Sequence, residues 1–485
     1  MALRVLSVTS ELHPLVKTGG LADVAGAPPP APAPHDIEVR SLLPAYPQVL
    51  RKIGKARAVH SYKALFGGPA RVLAATVNGL DLLLLDSPAL FGSREGGPYS
   101  DLTGHDWADN WRRFAALSAV GADVAAGAVK GWQADLVHAH DWQAAMTAAY
   151  VRHGRAPETP VVLTVHNLAF QGRFDTRIFP DLGLPPSAYS LEGVEYYGGV
   201  GFLKAGLQYG DAITTVSPTY ADEIRTPAFG MGLDGLLRGR GDAVQGIVNG
   251  IDTTEWDPAT DPNLASGFSM RSLGTRGGNR RALEKRFGLK RGKGPIFAVI
   301  SRLTWQKGID LIVDAVEHLV AHGGRLVVLG SGDSAFEGAL LAAAARHRGM
   351  IGIVTAYDEP LAHLIQGGAD AILIPSRFEP CGLTQLYGQR YGTIPIAART
   401  GGLADTIVDA NEAALAVGCA TGLLHEPGSG EALKAAISRA IALYWAPGVW
   451  LAMRKQGMRA DYGWERSSAR YAALYRSLID RSPAV

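Results

Sequence analysis

The residues best placed to do chemistry fall in a few short stretches, each following an apolar run. Lys17-Thr18-Gly19-Gly20 comes after the run at Arg4–Val8 and before a helical pattern. Glycines allow a ligand close to the backbone, helix N-terminal amides favour anions, and a lysine adds a point charge for phosphate. An ordinary tight turn would use the same glycines. Ser301-Arg302-Leu-Thr-Trp-Gln-Lys307-Gly308 repeats the arrangement later in the chain. Arg302 and Lys307 can hold a diphosphate and stabilise charge as it leaves, or they can be two solvated surface cations. Pro375-Ser-Arg377-Phe-Glu379-Pro-Cys381-Gly382-Leu383-Thr384-Gln385 places a carboxylate before a glycine-bearing helix start. Glu379 there can bond sugar hydroxyls or support an oxocarbenium-like centre, or it can simply answer the helix dipole. The amides at Gly382–Thr384 suit phosphate oxygens, and Cys381 reads as a small buried filler.

A second set is rich in imidazole. His138-Ala-His140-Asp141-Trp142 ends one strand pattern, and Thr164-Val-His166-Asn167 ends the next. Three histidines and an aspartate can bind metal. Carboxylates are scarce here, however, and we read the His138/His140 alternation as sending the two rings to opposite strand faces. Hydrogen bonding to a sugar is favoured over metal ligation.

These stretches need a scaffold that presents strand ends. Short β-branched runs alternate with helical patterns. The strands are expected at Arg4–Val8, Ile37–Leu43, Asp81–Leu85, Asp135–His138, Val161–Val165, Ala212–Thr215 and Ala243–Val248. Helices are expected at Trp107–Ala125, Gln143–Val151 and Phe202–Tyr209. That alternation predicts a parallel sheet of βαβ units. Pattern fails near Trp256–Asn279, which reads as a linker or a long surface connection, and then restarts at Pro295–Ile300 as a second doubly wound sheet. The end, Pro447–Ile479, reads as amphipathic helix. Ala27–Pro34 carries five prolines where a helix would run, so helix is expected only to about Gly26. Ligands of such sheets sit beyond the carboxyl ends of the strands, and a cleft between two of them is the expected active site.

Composition limits the function classes. The 485 residues exceed one ordinary domain, and 47% hydrophobic with 19% charged residues is globular. A net charge of +2 without a dense basic tract gives no footprint for nucleic acid. Two cysteines form neither a disulfide scaffold nor a zinc motif. The apolar stretches, such as Leu82–Leu85, are too short for a bilayer, and the N-terminal run is too short for a signal peptide. A reduced, cytoplasmic setting is expected, with no membrane partner.

Taken together in chain order, KTGGLADV, HAHDWQAA, LTVHNLAFQG, DAITTVSPTYADEI, VNGIDTTEWDP, SRLTWQKGIDL, SRFEPCGLTQLY and RTGGLADT resemble the glycogen and starch synthase family. The matching region runs from about residue 5 to about residue 468. The resemblance implies an α/β GT-B fold, two Rossmann-like doubly wound domains facing across a deep cleft. It implies residues 1–252 as the glucan-side domain, 253–455 as the nucleotide-sugar domain, and 456–485 as a C-terminal helix crossing back. It further implies a retaining transfer of glucose from ADP-glucose to the non-reducing end of an α-1,4-glucan such as glycogen, releasing ADP. No metal or organic cofactor is implied. By the same resemblance Lys17, Gly19, Gly20 and Asp23 lie at the distal phosphate and glucose. His166 and Asn167 take glucose hydroxyls, and Asp141 lies on the acceptor side. Arg302 and Lys307 neutralise the diphosphate, with Ser301 and Asn249 among the substrate-binding positions. Glu379 faces the donor sugar, Cys381, Gly382, Leu383 and Thr384 lie at the phosphates, Tyr357 stacks on adenine, and Tyr99 lies near the glucan.

The chain departs from the family pattern in its proline run and in Gly201, Gly210 and Gly388. Each glycine would cost ~1 kcal/mol inside a helix relative to alanine. Other retaining GT-B enzymes, a sucrose synthase or a phosphorylase among them, share the fold. Phosphorylase is disfavoured because no lysine stands in a pyridoxal-binding motif. A non-catalytic glucan-binding protein would not need Lys17, His166, Arg302, Lys307 and Glu379 together. A nicotinamide oxidoreductase would carry G-x-G-x-x-G after its first strand, and this chain does not.

Overall fold

The computed structural model describes residues 2–26, 35–92, 94 and 96–481. The proline run at 27–34 lies outside them. The chain forms two units, one from Met1–Gly250 with Trp464–Val485, the other Ile251–Gly463.

The first unit is built on nine strands: β1 (Leu3–Val8), β2 (Ile37–Pro44), β3 (Arg57–Leu65), β4 (Gly68–Val77), β5 (Leu80–Asp86), β6 (Leu136–His140), β7 (Val161–Val165), and, after a small side sheet of β8 (Arg173–Asp175), β9 (Glu195–Tyr196) and β10 (Gly199–Gly201), β11 (Ala212–Thr215) and β12 (Val244–Gly246). Among the described residues their order is β12-β11-β7-β6-β1-β2-β5-β4-β3. From β12 to β5 the pairing is parallel. Strands buried on both faces are expected to be uniformly apolar, and Val161–Val165 is buried at all five positions.

Strands β3 and β4 were not expected. They extend the parallel sheet as antiparallel ribbons. Asn78-Gly79 joins β4 to β5 with φ of 52° and 79°, as a two-residue primed turn requires. That dipeptide is a strong hairpin signal, and it marks what the periodicity missed.

The second unit carries β13 (Ile296–Ile300), β14 (Arg325–Leu329), β15 (Ile351–Val354), β16 (Ala371–Ile374), β17 (Ile394–Ala398) and β18 (Leu423–His425). Their order is β15-β14-β13-β16-β17-β18, all parallel. The order reverses beside β13, so the loops after β13 and β16 flank the switch point where such sheets bind ligands.

Three expectations about elements need correction. Residues 256–279 are not a linker. Trp256 and Phe268 pack with Tyr391 in an aromatic cluster, and a helix begins at Gly277. The segment lacks periodicity because it is held by a few large rings rather than by an apolar face. The end of the chain is two helices, Pro447–Arg459 and Trp464–Arg481, broken at Ala460–Gly463. The unit boundaries therefore fall at Gly250 and Trp464, rather than at 252 and 456. Gly201 and Gly210 bracket the helix Phe202–Tyr209 as its caps, so only Gly388 stands inside a helix.

The helix Trp464–Arg481 belongs to the first unit's core. Its Tyr471, Ala472, Tyr475 and Leu478 pack with Val5, Ile37, Leu136, Val162 and Ile247. The helix Gly20–Gly26 runs to the last described residue before 27–34, so the expected stop near Gly26 lies at the limit of the described residues.

Candidate functional site

In the first unit the Lys17 loop leaves the carboxyl end of β1 and runs into the helix Gly20–Gly26. Lys17 Nζ lies 2.9 Å from Asp23 Oδ1, one of whose neighbours is the His13 ring at 4.0 Å. A Cβ on Gly19 would meet nothing within 4 Å, so the loop is open on that side. Glu11 fastens the loop from behind. Its carboxylate accepts the Thr18 amide at 2.5 Å, the Thr18 hydroxyl and the Tyr99 hydroxyl. Ser10 Oγ also bonds the Tyr99 hydroxyl at 2.8 Å. Burial, and then the Glu11 carboxylate, push the Tyr99 phenol well above its ordinary range. Tyr99 is thus tied to the Lys17 loop. Its own loop is anchored by the buried Arg113, which donates to the Pro98 carbonyl at 2.9 Å.

The three histidines correct the sequence reading. Residues two apart on a strand share a face, and the His138 and His140 rings lie 4.2 Å apart. His140 Nδ1 is 3.1 Å from His166 Nε2, and His140 Nε2 is 3.2 Å from Ser7 Oγ. His138 bonds Thr164 Oγ1 at 2.6 Å and the Tyr475 hydroxyl at 2.7 Å. His140 and His166 thus bond each other, while His138 stacks beside them and bonds two hydroxyls. Burial lowers all three pKa values, to about 3 for His140 and well below the ordinary value for His138 and His166.

Asp141 starts the helix Asp141–Arg152 with φ of 54°, an uncommon conformation for a residue with a side chain. Its carboxylate turns back to accept the His166 amide at 2.6 Å and the Asn167 amide at 3.4 Å. Burial raises its pKa to about 7, against those two bonds, which lower it. Asp141, His166 and Asn167 are therefore one assembly. Asn249 is buried, and its Oδ1 has no hydrogen-bond partner among the described residues.

In the second unit β13 delivers Ser301 and Arg302. The Leu303 amide donates to the Ser331 carbonyl at 2.9 Å, and the Asp333 amide to the Leu303 carbonyl at 2.8 Å. The loop after β13 is thereby joined to the glycine turn after β14. Arg302 is exposed. Lys307 Nζ reaches across to Glu379 Oε2 at 2.5 Å, and Ser376 Oγ donates to the same oxygen at 2.8 Å. Lys307 and Glu379, expected to serve phosphate and sugar separately, are partners here.

The loop after β16 is fixed from three directions. Arg377 grips Asp310 with bonds of 2.8 and 2.6 Å and lies over the Trp305 ring. Gln385 Nε2 donates to the carbonyls of Cys381 and Gly382 at 3.0 and 2.9 Å. Gly401, with φ of 44°, lets the RTGG turn approach so closely that a Cβ would lie 2.0 Å from the Glu379 carbonyl oxygen. Cys381 is buried. Leu383 and Thr384 stand at the start of the helix Thr384–Arg390, and Tyr357 is 75% exposed ahead of the helix Glu359–Gly368.

Sequence reading missed Glu11, Ser376, Arg377 and Gly401. Each acts through another residue, so none stands out by type. Ser376, Arg377 and Gly401 do lie inside stretches already marked by their neighbours.

Comparison with known proteins places the chain in a family. Residues 4–239 match the starch synthase catalytic domain, and residues 281–447 match glycosyl transferases group 1. The chain is 59% identical over 478 residues to glycogen synthase 1 of Rhizobium meliloti, covering 98% of this chain and 99% of that one. It is 57% identical over 482 residues to glycogen synthase of Novosphingobium aromaticivorans, covering 99% of each. The catalytic domain of starch synthase IV from Arabidopsis thaliana, solved bound to ADP and acarbose, superposes with a TM-score of 0.88 at 30% identity, over 99% of this chain and 100% of that one. A sucrose-phosphate synthase from Thermosynechococcus elongatus, at 17% identity and TM-score 0.62, shares the fold alone, over 99% of this chain and 100% of that one. Full-length identity to curated relatives and the two Rossmann-like sheets give one conclusion: the chain belongs to the glycogen and starch synthase family, and it is a glycosyltransferase of the GT-B fold.

Proposed function

We propose that the residues at the strand ends divide one reaction between them, with Lys307 and Glu379 at its centre. The enzyme transfers glucose from ADP-glucose to the non-reducing end of an α-1,4-glucan in glycogen biosynthesis, with retention. In the second unit Arg302 and Lys307 neutralise the diphosphate, helped by main-chain amides at Gly382, Leu383 and Thr384. Tyr357 offers an exposed ring to adenine, and Ser301 lines the same strand end. Glu379 keeps the Lys307 ammonium in place and presents its second oxygen to the donor sugar. In the first unit Lys17, Gly19, Gly20 and Asp23 hold the sugar end of the donor, and Asn249 offers its buried carbonyl oxygen. His166 and Asn167 bond glucose hydroxyls, positioned by Asp141 and, through the ring nitrogen, by His140. The reaction runs in the cytoplasm, where Cys381 and Cys419 are free thiols.

The observation carrying this reading is the Lys307–Glu379–Ser376 cluster, 2.5 and 2.8 Å across, between two loops at the switch point. Retention follows a same-face path. The acceptor hydroxyl oxygen bonds to the anomeric carbon as the bond to the diphosphate breaks, and the hydroxyl proton passes to the departing phosphate. The protein contributes position and charge. No cofactor takes part. Lys307→Ala is the test. Loss of one preorganised donor to developing charge costs kcat about 10²–10³-fold. At saturating donor the variant should fall in that range, and nearly full kcat would remove Lys307 from the reaction.

A further inference from the structure

A second cluster, built from residues with no role assigned above in the transfer reaction, has the makings of a cation site. Glu359 opens the helix Glu359–Gly368, and His363 follows one turn later, so both project from one helix face. Glu255, in the segment that enters the second unit, completes the group. The ligand atoms of Glu255, Glu359 and His363 all lie within 4.8 Å of one another.

The histidine is prepared as a ligand in the manner of metal-bound imidazoles. It is 3% exposed. Its Nδ1 is 2.7 Å from Asp261 Oδ2, a carboxylate with a fully buried side chain that also accepts the Tyr391 hydroxyl at 2.6 Å. Trp256 stacks on the ring at 3.7 Å and 14°, fixing its plane. A buried carboxylate that holds one nitrogen of a histidine standing beside two further carboxylates is the outer-shell arrangement that tunes zinc ligands.

We infer that Glu255, Glu359 and His363 bind a first-row divalent transition metal, of which Zn2+ is the representative. An imidazole among the ligands selects against Mg2+ and Ca2+, which prefer all-oxygen shells. The metal would clamp the segment entering the second unit to the helix that follows Tyr357, and it takes no part in glucosyl transfer. Sequence reading expected no metal, and it did not single out these three residues.

Calorimetric titration of chelator-treated full-length protein with ZnCl2 tests this independently of activity. The expected result is one saturable Zn2+ per chain, unaffected by millimolar Mg2+. Glu255→Gln, at an exposed position, and Glu359→Gln should each weaken binding by at least about 10-fold, with unfolding midpoints in chelator matching the parent. Absence of saturable binding would overturn the site. So would unchanged affinity in both carboxylate variants, which would place the metal elsewhere, at His318 and His322 for instance. Equal competition by Mg2+ would overturn the imidazole ligand.

Discussion

Asp141 carries the most informative single titration in the first unit. Its folded pKa, about 7, stands above the ordinary value of 3.8. A carboxyl raised in this way favours the fold when protonated, and that contribution fades as pH rises from about 4 through 7. Asp141→Asn keeps an acceptor for the His166 amide and tolerates the positive φ. The variant should therefore gain stability over the parent as pH rises from 5 to 8, and melting both proteins at the two values reads it. A gap that shrinks over this range would show that the carboxylate is stabilised as the anion. The histidines act in the opposite sense. Their folded pKa values are depressed, so the stability they contribute above about pH 6.5 is lost as pH falls. Residue types were legible at this scale: Lys17, Asp141, His166, Arg302, Lys307 and Glu379 stand out by charge and by position after a strand. Their partners were not. The Lys307–Glu379 pair spans two loops far apart in sequence, and no spacing rule announces it.

Elements explain how those side chains are held. The Lys17 loop is tied to Glu11 through Thr18, and Glu11 in turn to the Tyr99 loop. Tyr99→Phe removes one donor to a partly buried carboxylate, worth about 1 kcal/mol or roughly 5-fold. Steady-state kinetics should show KM for the donor raised by about that factor with kcat little changed. A collapse of kcat at constant KM would instead put the phenol in the chemistry. The helix Trp464–Arg481 holds the His138 ring through Tyr475. Tyr475→Phe leaves buried His138 Nδ1 without its partner, at a cost of about 1–3 kcal/mol. A urea unfolding midpoint equal to the parent's would show that the hydroxyl contributes nothing. The parallel strands were legible because burial on both faces makes them continuously apolar. Strands β3 and β4 were not, since one face is exposed and the ribbon reads as mixed polarity. The aromatic packing of 256–268 left no periodic signal at all.

At the scale of the molecule, two Rossmann-like units come from one repeated pattern of short buried strands and intervening helices. The repeat was visible in the sequence, and its boundaries were displaced by a few residues because the break at Ala460–Gly463 lies between two helical patterns that read as one. No helix among the described residues is long and apolar enough to cross a membrane. The central claim is that this protein moves glucose from ADP-glucose onto an α-1,4-glucan. The direct measurement incubates it with glycogen and radiolabelled ADP-glucose, with labelled UDP-glucose in parallel, and follows label in the polymer. The account predicts incorporation from ADP-glucose that far exceeds that from UDP-glucose and is released by an α-1,4-specific amylase. Absence of incorporation from both donors, or label that resists the amylase, would contradict it.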